Sequence, residues 1–410
     1  MNRREFIKST GTLLAASSFS SLLPMLARAA ESNDQYLLMY EMAGGWDVSL
    51  SLDPWLALDR PDQSDYFIEY AQSELFSVGN AVYGPAMIDM KNVLADFSVI
   101  RGIFLAPTDS GHSAALGMLR SGNGLGKHAD LALAFTTFDN EKTLGALSTG
   151  VLFAGELLTT TFSVDDLPAL QAQITDSSLI SGGGALAKAR NSRLELAPKF
   201  KAFGDVRSQL ISNSESDSAT NRMASVVAAF KSGLSRSALL ESSVTDSHSN
   251  HEKEHLASQK KSWADLARLI AMLKKISSVD GQTLFDRTTI VVYSEFSRTP
   301  ALNSAKGKDH NPLMNSVLVS GPGFRKGVTV GGSRIVGRSI SKSGMPYHVG
   351  VPCDLTTGVP VSSHKSFDQG TMITPEHVMA TIADSMGLDR ARFNCAQPTM
   401  PSIKAILSQR

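Results

Sequence analysis

The stretch from Thr288 to Gly323, TTIVVYSEFSRTPALNSAKGKDHNPLMNSVLVSGPG, constrains the fold more than any other part of the chain. Thr289-Ile290-Val291-Val292-Tyr293 is a β-branched and aromatic run without Gly or Pro, the pattern of a parallel strand covered on both faces. It stops at Ser294-Glu295, which places a carboxylate at the carboxyl end of the strand, where open α/β sheets bind ligands. Lys308-Asp309-His310 follows in a polar loop, and Ser316 to Ser320 reads as the next strand. The segment therefore predicts a buried sheet with a Glu and an Asp-His pair delivered by loops beside strand ends.

The chain has 410 residues, 42% hydrophobic and 19% charged, which is ample for a buried core. Lys+Arg and Asp+Glu are equal at 39 each, so charge gives no reason to expect nucleic acid or an acidic membrane surface as partner. The two cysteines, Cys353 and Cys395, cannot alone make a tetrahedral thiolate site; spacing leaves open whether they pair or stay as buried thiols. Asn2-Arg3-Arg4-Glu5-Phe6-Ile7-Lys8, an apolar segment to Leu26 and Ala27-Arg28-Ala29 have the order of an export signal with twin arginines. Residues 1–29 are read as a Tat signal peptide and 30–410 as a single α/β domain. The expected location is periplasmic or secreted, with no stable membrane span once the signal is removed.

Gln35 to Met42 predicts the first strand, ending in Ala43-Gly44-Gly45-Trp46-Asp47. Its glycines permit a sharp turn that projects Asp47 from the strand end. Phe97 to Phe104 predicts a second strand, leading through Thr108-Asp109-Ser110-Gly111-His112 into a short helix over Ser113 to Arg120. Val151 to Ala154 reads as a further strand. The Ser- and Ala-rich region of about 156–240 reads as helices forming a cap or insertion. Leu256, Trp263, Leu266, Leu269, Ile270, Leu273 and Ile276 form an apolar stripe that predicts a helix over Glu252 to Ile276. His251 and His255, four apart on a helix, could also chelate a metal, but beside Glu252 and Glu254 they read better as its hydrated start. Thr374-Pro375-Glu376 opens a helix that runs to Met386 and stops at Gly387.

Four loops thus hold oxygen and imidazole ligands: Asp47; Asp246 with His248; Glu295; and Asp309 with His310. Asp246 and His248 are two apart and point the same way on an extended loop. Asp309 and His310 are adjacent, so His310 is the better ligand and Asp309 the better orienting group. Imidazole with carboxylate suits zinc, whereas manganese, magnesium or calcium would favour more oxygen. There is no Cys cluster, haem signature or strand-linked dinucleotide fingerprint to suggest a redox protein.

In their order along the chain, Asp47, the Asp109–His112 loop, Asp246/His248, Glu295 and Asp309/His310 resemble the alkaline phosphatase superfamily, which includes sulfatases. FLAPTDSGHSAALGMLRSG (Phe104 to Gly122) resembles the sulfatase nucleophile loop, and KDHNPLMNSVLVSGPG (Lys308 to Gly323) the segment of the last histidine. The Tat signal, AGGWD, TDSHSN, SEFSRTP with Asn303, and GKDH more specifically resemble the exported DUF1501 family over about residues 35–390. These resemblances imply a mainly parallel, alkaline-phosphatase-like sheet with helices on both faces. They also imply a divalent-metal-dependent hydrolase of small anionic phosphate or sulfate esters. Asp246, His248 and His310 would hold one ion, and Asp47 with Glu295 a weaker second. Ser110 would be the nucleophile, with Ser113, Thr108 and His112 as rivals, and Arg298 would grip the ester oxygens. Ser297 stands where the family has Gly, and Thr245-Asp246-Ser247-His248 departs from its Trp-Asp-Thr-His. The position where alkaline phosphatase has a second-loop histidine is Phe296, so one metal site is expected to be depleted. The alternative is a non-catalytic exported protein that keeps the fold and binds a partner at the cell envelope.

Overall fold

A computed structural model describes residues 35–55, 70–108, 111–122, 128–137, 144–155, 161–175, 185–211, 217–336, 346–361, 369–390 and 399–408, with backbone alone over 185–193. In chain order the strands are β1 (Tyr36–Ala43), β2 (Phe76–Val78), β3 (Ala81–Tyr83), β4 (Ser98–Ile103), β5 (Ala146–Ser148), β6 (Thr161–Ser163) and β7 (Ser237–Ser243). They continue with β8 (Thr288–Tyr293), β9 (Ser297–Arg298), β10 (His310–Asn311), β11 (Asn315–Ser320), β12 (Thr329–Val336) and β13 (Tyr347–Val351). The helices are α1 (Gly111–Ser121), α2 (Leu131–Thr136), α3 (Leu167–Thr175), α4 (Ala185–Leu210), α5 (Ser218–Lys231), α6 (His251–Lys275), α7 (Leu284–Arg287) and α8 (Pro375–Met386).

Among the described residues, nine strands form one sheet in the order β13-β12-β4-β11-β8-β1-β7-β5-β6. The pairings of β1 with β7 and β8, of β5 with β6 and β7, and of β4 with β12 are parallel. The strand β11 is the exception at the centre, antiparallel to both β4 and β8. The sequence predicts its existence but not its direction. The reversal has a consequence for function. The carboxyl ends of β1, β4, β7 and β8 and the amino end of β11 all open on one rim, so the chain leaves β8 and re-enters β11 at the same edge. A two-stranded ribbon, β9 with β10, braces the excursion between them.

Side chains alternate across β1 as the two-residue strand period requires. Leu38, Tyr40 and Met42 enter one core with Phe200, Phe203, Phe230, Trp263, Leu266 and Leu269. Leu37 and Met39 enter the other with Leu119, Leu131, Val291, Val378 and Ile382. Helices α3 to α6 thus cover one face, and α1, α2 and α8 the other. Each fully buried large apolar side chain contributes about 1.5–3 kcal/mol. In α6, Glu252 and Glu254 lie in the first turn and Lys274 and Lys275 in the last, which complements the helix dipole. In α8, Thr374 is the N-cap, Pro375 opens the helix, and Gly387 ends it with φ 68°.

Three expectations need correction. Val151 to Ala154 is not a strand; the strand is β5, just upstream, and Val151 is 74% exposed. A short apolar run without periodicity does not distinguish a buried strand from an exposed loop. Second, the 156–240 region holds helices α3 to α5, but it also contributes β6 and β7 to the main sheet, and its helices lie directly on the sheet core. The central strand β7, Ser237–Ser243, escapes notice because SALLESS is too rich in serine for a buried-strand pattern. Third, His251 and His255 are fully buried rather than hydrated. No helix among the described residues is long and apolar enough to cross a membrane.

Candidate metal centre

The rim is shaped first by the turn after β1. Gly44 and Gly45 have φ 115° and 75°, in the region L side chains rarely adopt. A Cβ at Gly44 would stand 2.2 Å from the Val244 carbonyl oxygen, and one at Gly45 would stand 2.2 Å from the Phe296 ring. Strain and overlap act together, so Gly45→Ala is expected to cost about 2 kcal/mol or more, read as a lowered denaturation midpoint. A wild-type midpoint in that variant would show that the turn tolerates a side chain. The tight turn lets the Gly44 N–H donate to Glu295 Oε1 at 2.7 Å. The same carboxylate accepts from the Ser294 hydroxyl through Oε2 at 2.8 Å.

Glu295 in turn holds His112, in the first turn of α1, by its Nδ1 at 2.7 Å. Burial works against ionisation of Glu295, but hydrogen bonds from His112, backbone amides and Ser294 outweigh it and keep the carboxyl below its ordinary value. The hydrogen bond to Glu295 raises His112, with partial burial opposing it. The Nε2 of His112 then faces Asp246, 3.3 Å from Oδ2. His310, on β10, completes the group: ligand atoms of His112, Asp246 and His310 all lie within 4.8 Å of one another. The Phe296 ring stacks on the His310 ring at 4.0 Å between centroids.

His248 lies against this group, with Nε2 3.0 Å from His310 Nε2 and 3.3 Å from Asp246 Oδ1. Its Nδ1 is 3.0 Å from Asp309 Oδ1, and Asn303 donates to the same oxygen at 2.9 Å. Partial burial tends to raise Asp309, but these bonds hold it below its ordinary value. Two imidazoles are therefore each backed by a carboxylate, an arrangement that fixes ring orientation and strengthens a histidine as ligand. Two imidazole nitrogens and one carboxylate oxygen are a donor set that could hold a divalent transition metal such as zinc.

The structure thus brings His112, Asp246, His248, Asp309 and His310 together, with Glu295 behind His112. It does not bring Asp47 to them. That carboxylate is buried and bonds the Lys308 ammonium and His251 Nε2 (3.0 Å) through Oδ2, and Ser49 through Oδ1. Burial is the largest influence and opposes ionisation, yet Lys308 and His251 together keep Asp47 well below the usual carboxylate range. Burial pushes His251 down to about 4, so its ring is neutral near pH 7. With Nε2–H given to Asp47, its Nδ1 accepts the Ser247 hydroxyl at 2.6 Å.

Arg298 is also placed otherwise than its expected role requires. Its side chain is buried, and it donates to the carbonyls of Gly44, Gly45 and Lys308 and to Asp246. It anchors the glycine turn and the Asp246 loop rather than facing solvent. Ser110 and Asp109 lie outside the described residues. The residues that sequence reasoning missed are Lys308, as a buried counter-ion, and His251, as a buried link. No local signal marks them, because lysine in a polar loop and histidine among glutamates both read as solvated.

The fold and these side chains define an α/β protein with a histidine–carboxylate cluster, able to hold a metal ion, at the carboxyl rim of its sheet. The model of the family described as "Protein of unknown function (DUF1501)" matches residues 211–349. The segment that supplies Asp246, His248, Glu295, Arg298, Asp309 and His310 therefore carries that family's pattern. The sequence matches no curated protein. Solved structures similar in chain course include the lipoteichoic acid synthase LtaP from Listeria monocytogenes, at 10% identity and TM-score 0.37 over 94% of this chain and 85% of that one. Another is a protein in the alkaline phosphatase superfamily from Vibrio parahaemolyticus, at 7% identity and TM-score 0.37 over 94% and 78%. A third is a 2-O GAG sulfatase, at 8% identity and TM-score 0.33 over 86% and 71%. No residue role follows from likeness at this level.

Proposed function

We propose that the chain is a Tat-exported, metal-dependent hydrolase of phosphate or sulfate esters, with one ion held by His112, Asp246 and His310. The observation that supports it most is the convergence of those three ligand atoms within 4.8 Å, supplied by a helix start, a loop and a short strand far apart in the chain. The ester class rests on the motif resemblance of the nucleophile loop and the last-histidine segment. A divalent ion bound there supplies Lewis-acid charge to the oxygens of an ester. The protein's own part is orientation. Glu295 aims His112 Nε2 inward, Asp309 steadies His248, and Arg298 ties Asp246 to the glycine turn. Phe296 covers one face of His310. Ser110, two residues before His112 in sequence, is the proposed nucleophile. With Asp47 committed to Lys308, a second ion is not part of the proposal.

That commitment, with the burial of Arg298, favours one other reading: an exported binding or assembly protein of the cell envelope that keeps the fold and one structural ion. A panel of phosphate and sulfate esters, run on metal-loaded wild type and on Ser110→Ala, separates the two. The hydrolase predicts turnover that falls by about a thousandfold or more in the variant. Metal-loaded protein with no turnover on the panel would favour the binding protein.

A further inference from the structure

Behind the helix that carries His112, the sheet buries more charge than the candidate site uses. Glu41 lies on β1, three residues before the glycine turn, and is 1% exposed. Arg120, near the end of α1, places Nε 2.6 Å and Nη2 2.5 Å from Glu41 Oε2. Tyr293, on β8, donates its hydroxyl to the same oxygen at 2.8 Å. Asp130, the N-cap of α2, adds a second buried carboxylate, with Oδ2 3.7 Å from Arg120 Nη1. On β7 the register partner of Glu41 is Glu241, which is exposed and stands beside Gly150. Glu295, beyond Tyr293 on the same chain, is the other charge that acts on Glu41.

Two carboxylates against one guanidinium leave one negative charge in excess. Glu41 Oε1 and Asp130 Oδ1 are both buried, and neither has a hydrogen-bond partner among the described residues. A buried carboxylate oxygen without a donor is strongly unfavourable, and a protonated carboxyl in the same place costs much less because it carries no charge. One proton on either oxygen removes the excess. Burial, opposed by Arg120, pushes Glu41 up to about 7. Burial likewise pushes Asp130 up to about 6, opposed by the Phe153 amide and Arg120.

We propose that this cluster keeps one proton in the folded protein and that its release loosens α1 from the sheet, so that the fold carries an acid-favouring latch directly behind the candidate site. Arg120 joins α1 to the sheet through Glu41 and to the loop after β5 through the Val151 carbonyl at 2.7 Å. Asp130 accepts the Phe153 amide at 3.0 Å, so the same loop answers to both carboxylates. An ionised pair here is relieved by letting water in, and α1 is the element that can lift. The latch does not require a metal ion. Its sign follows from the raised carboxyls: the stability it adds is complete below their ordinary values and is lost as pH rises through about 7 for Glu41.

Hydrogen exchange of the backbone amides of Gly111–Ser121, corrected for intrinsic rates and followed from about pH 5.5 to about pH 8.5, tests this in the full-length protein. In the wild type the opening equilibrium of α1 is expected to rise with pH, by up to about tenfold per pH unit for a single proton. Glu41→Gln is expected to flatten that slope, and Glu241→Gln, on the exposed neighbour, to keep it. A wild-type helix whose opening is independent of pH, or a Glu41→Gln protein with the wild-type slope, overturns the latch. Should Glu41→Gln not fold, Asp130→Asn removes the same excess charge, and an unchanged slope in that variant overturns it equally.

Discussion

Asp246→Ala is expected to abolish divalent-metal binding to a protein that otherwise takes up about one zinc-type ion per chain. Asp246 is the anionic member of the three-ligand group, and its carboxylate faces all the surrounding imidazoles. It lies 3.3 Å from His112, 3.3 Å from His248 and 3.8 Å from His310. Without it the candidate ligands include no anion, and the buried Arg298 beside them loses its carboxylate partner. An unpaired guanidinium close by would repel a cation further. Apparent affinity should fall by more than about a hundredfold, while Glu295→Gln, which alters only the support of His112, should cost about 10–100-fold. Competition against a chromophoric chelator, backed by elemental analysis, reads both. Because Asp246→Ala also disturbs Arg298, His310→Ala serves as the companion variant: it removes a ligand and leaves the Arg298 bonds in place. Retention of wild-type affinity by His310→Ala would remove the cluster from consideration as a metal centre.

The second large effect is expected away from the ligands. Lys308→Met should destabilise the fold by about 3–5 kcal/mol, because it strands the Asp47 carboxylate in the interior. Both side chains are almost wholly buried, at 1% and 2% exposure. His251 remains as a hydrogen-bond donor to Asp47, and burial, the largest influence on it, still opposes a charge on its ring. Adding Asp47→Asn to Lys308→Met removes the stranded charge and should restore much of the loss. The two sites interact directly, so their effects cannot be additive. Denaturant unfolding of the two single variants and the double variant measures this. A pair that proves additive would mean that the ion bond contributes nothing. The pH dependence has a definite sign. Asp47 is depressed, so its stabilising contribution is present above the ordinary carboxylate range and is lost as pH falls through its folded value.

The sequence shows some of this fold clearly. Mainly apolar runs mark β1, β4, β8 and β11, β-branched in β8 and built of Leu, Met and Tyr in β1, because a strand buried on both faces excludes most polar side chains. The stripe in α6 and the Thr-Pro and Gly punctuation of α8 are equally direct. Strand direction is not encoded in such runs, which is why the reversal of β11 emerges only from the pairing. Within the site, the residues at strand ends can be read, and so can the Asp-His pairs. Their partners cannot, because charge pairing joins residues hundreds of positions apart. Asp47 finds Lys308, and Glu295 finds His112. Whether a polar residue in a loop faces water or its neighbours is settled by packing, as Arg298 and His251 both show.

Because β11 runs against β8 and lies beside it, the excursion from Ser294 to Met314 leaves and rejoins the sheet at adjacent places. It behaves as a closed cassette. Glu295, Arg298 and His310 ride on it together, so any shift at its base displaces acid, guanidinium and imidazole as one body.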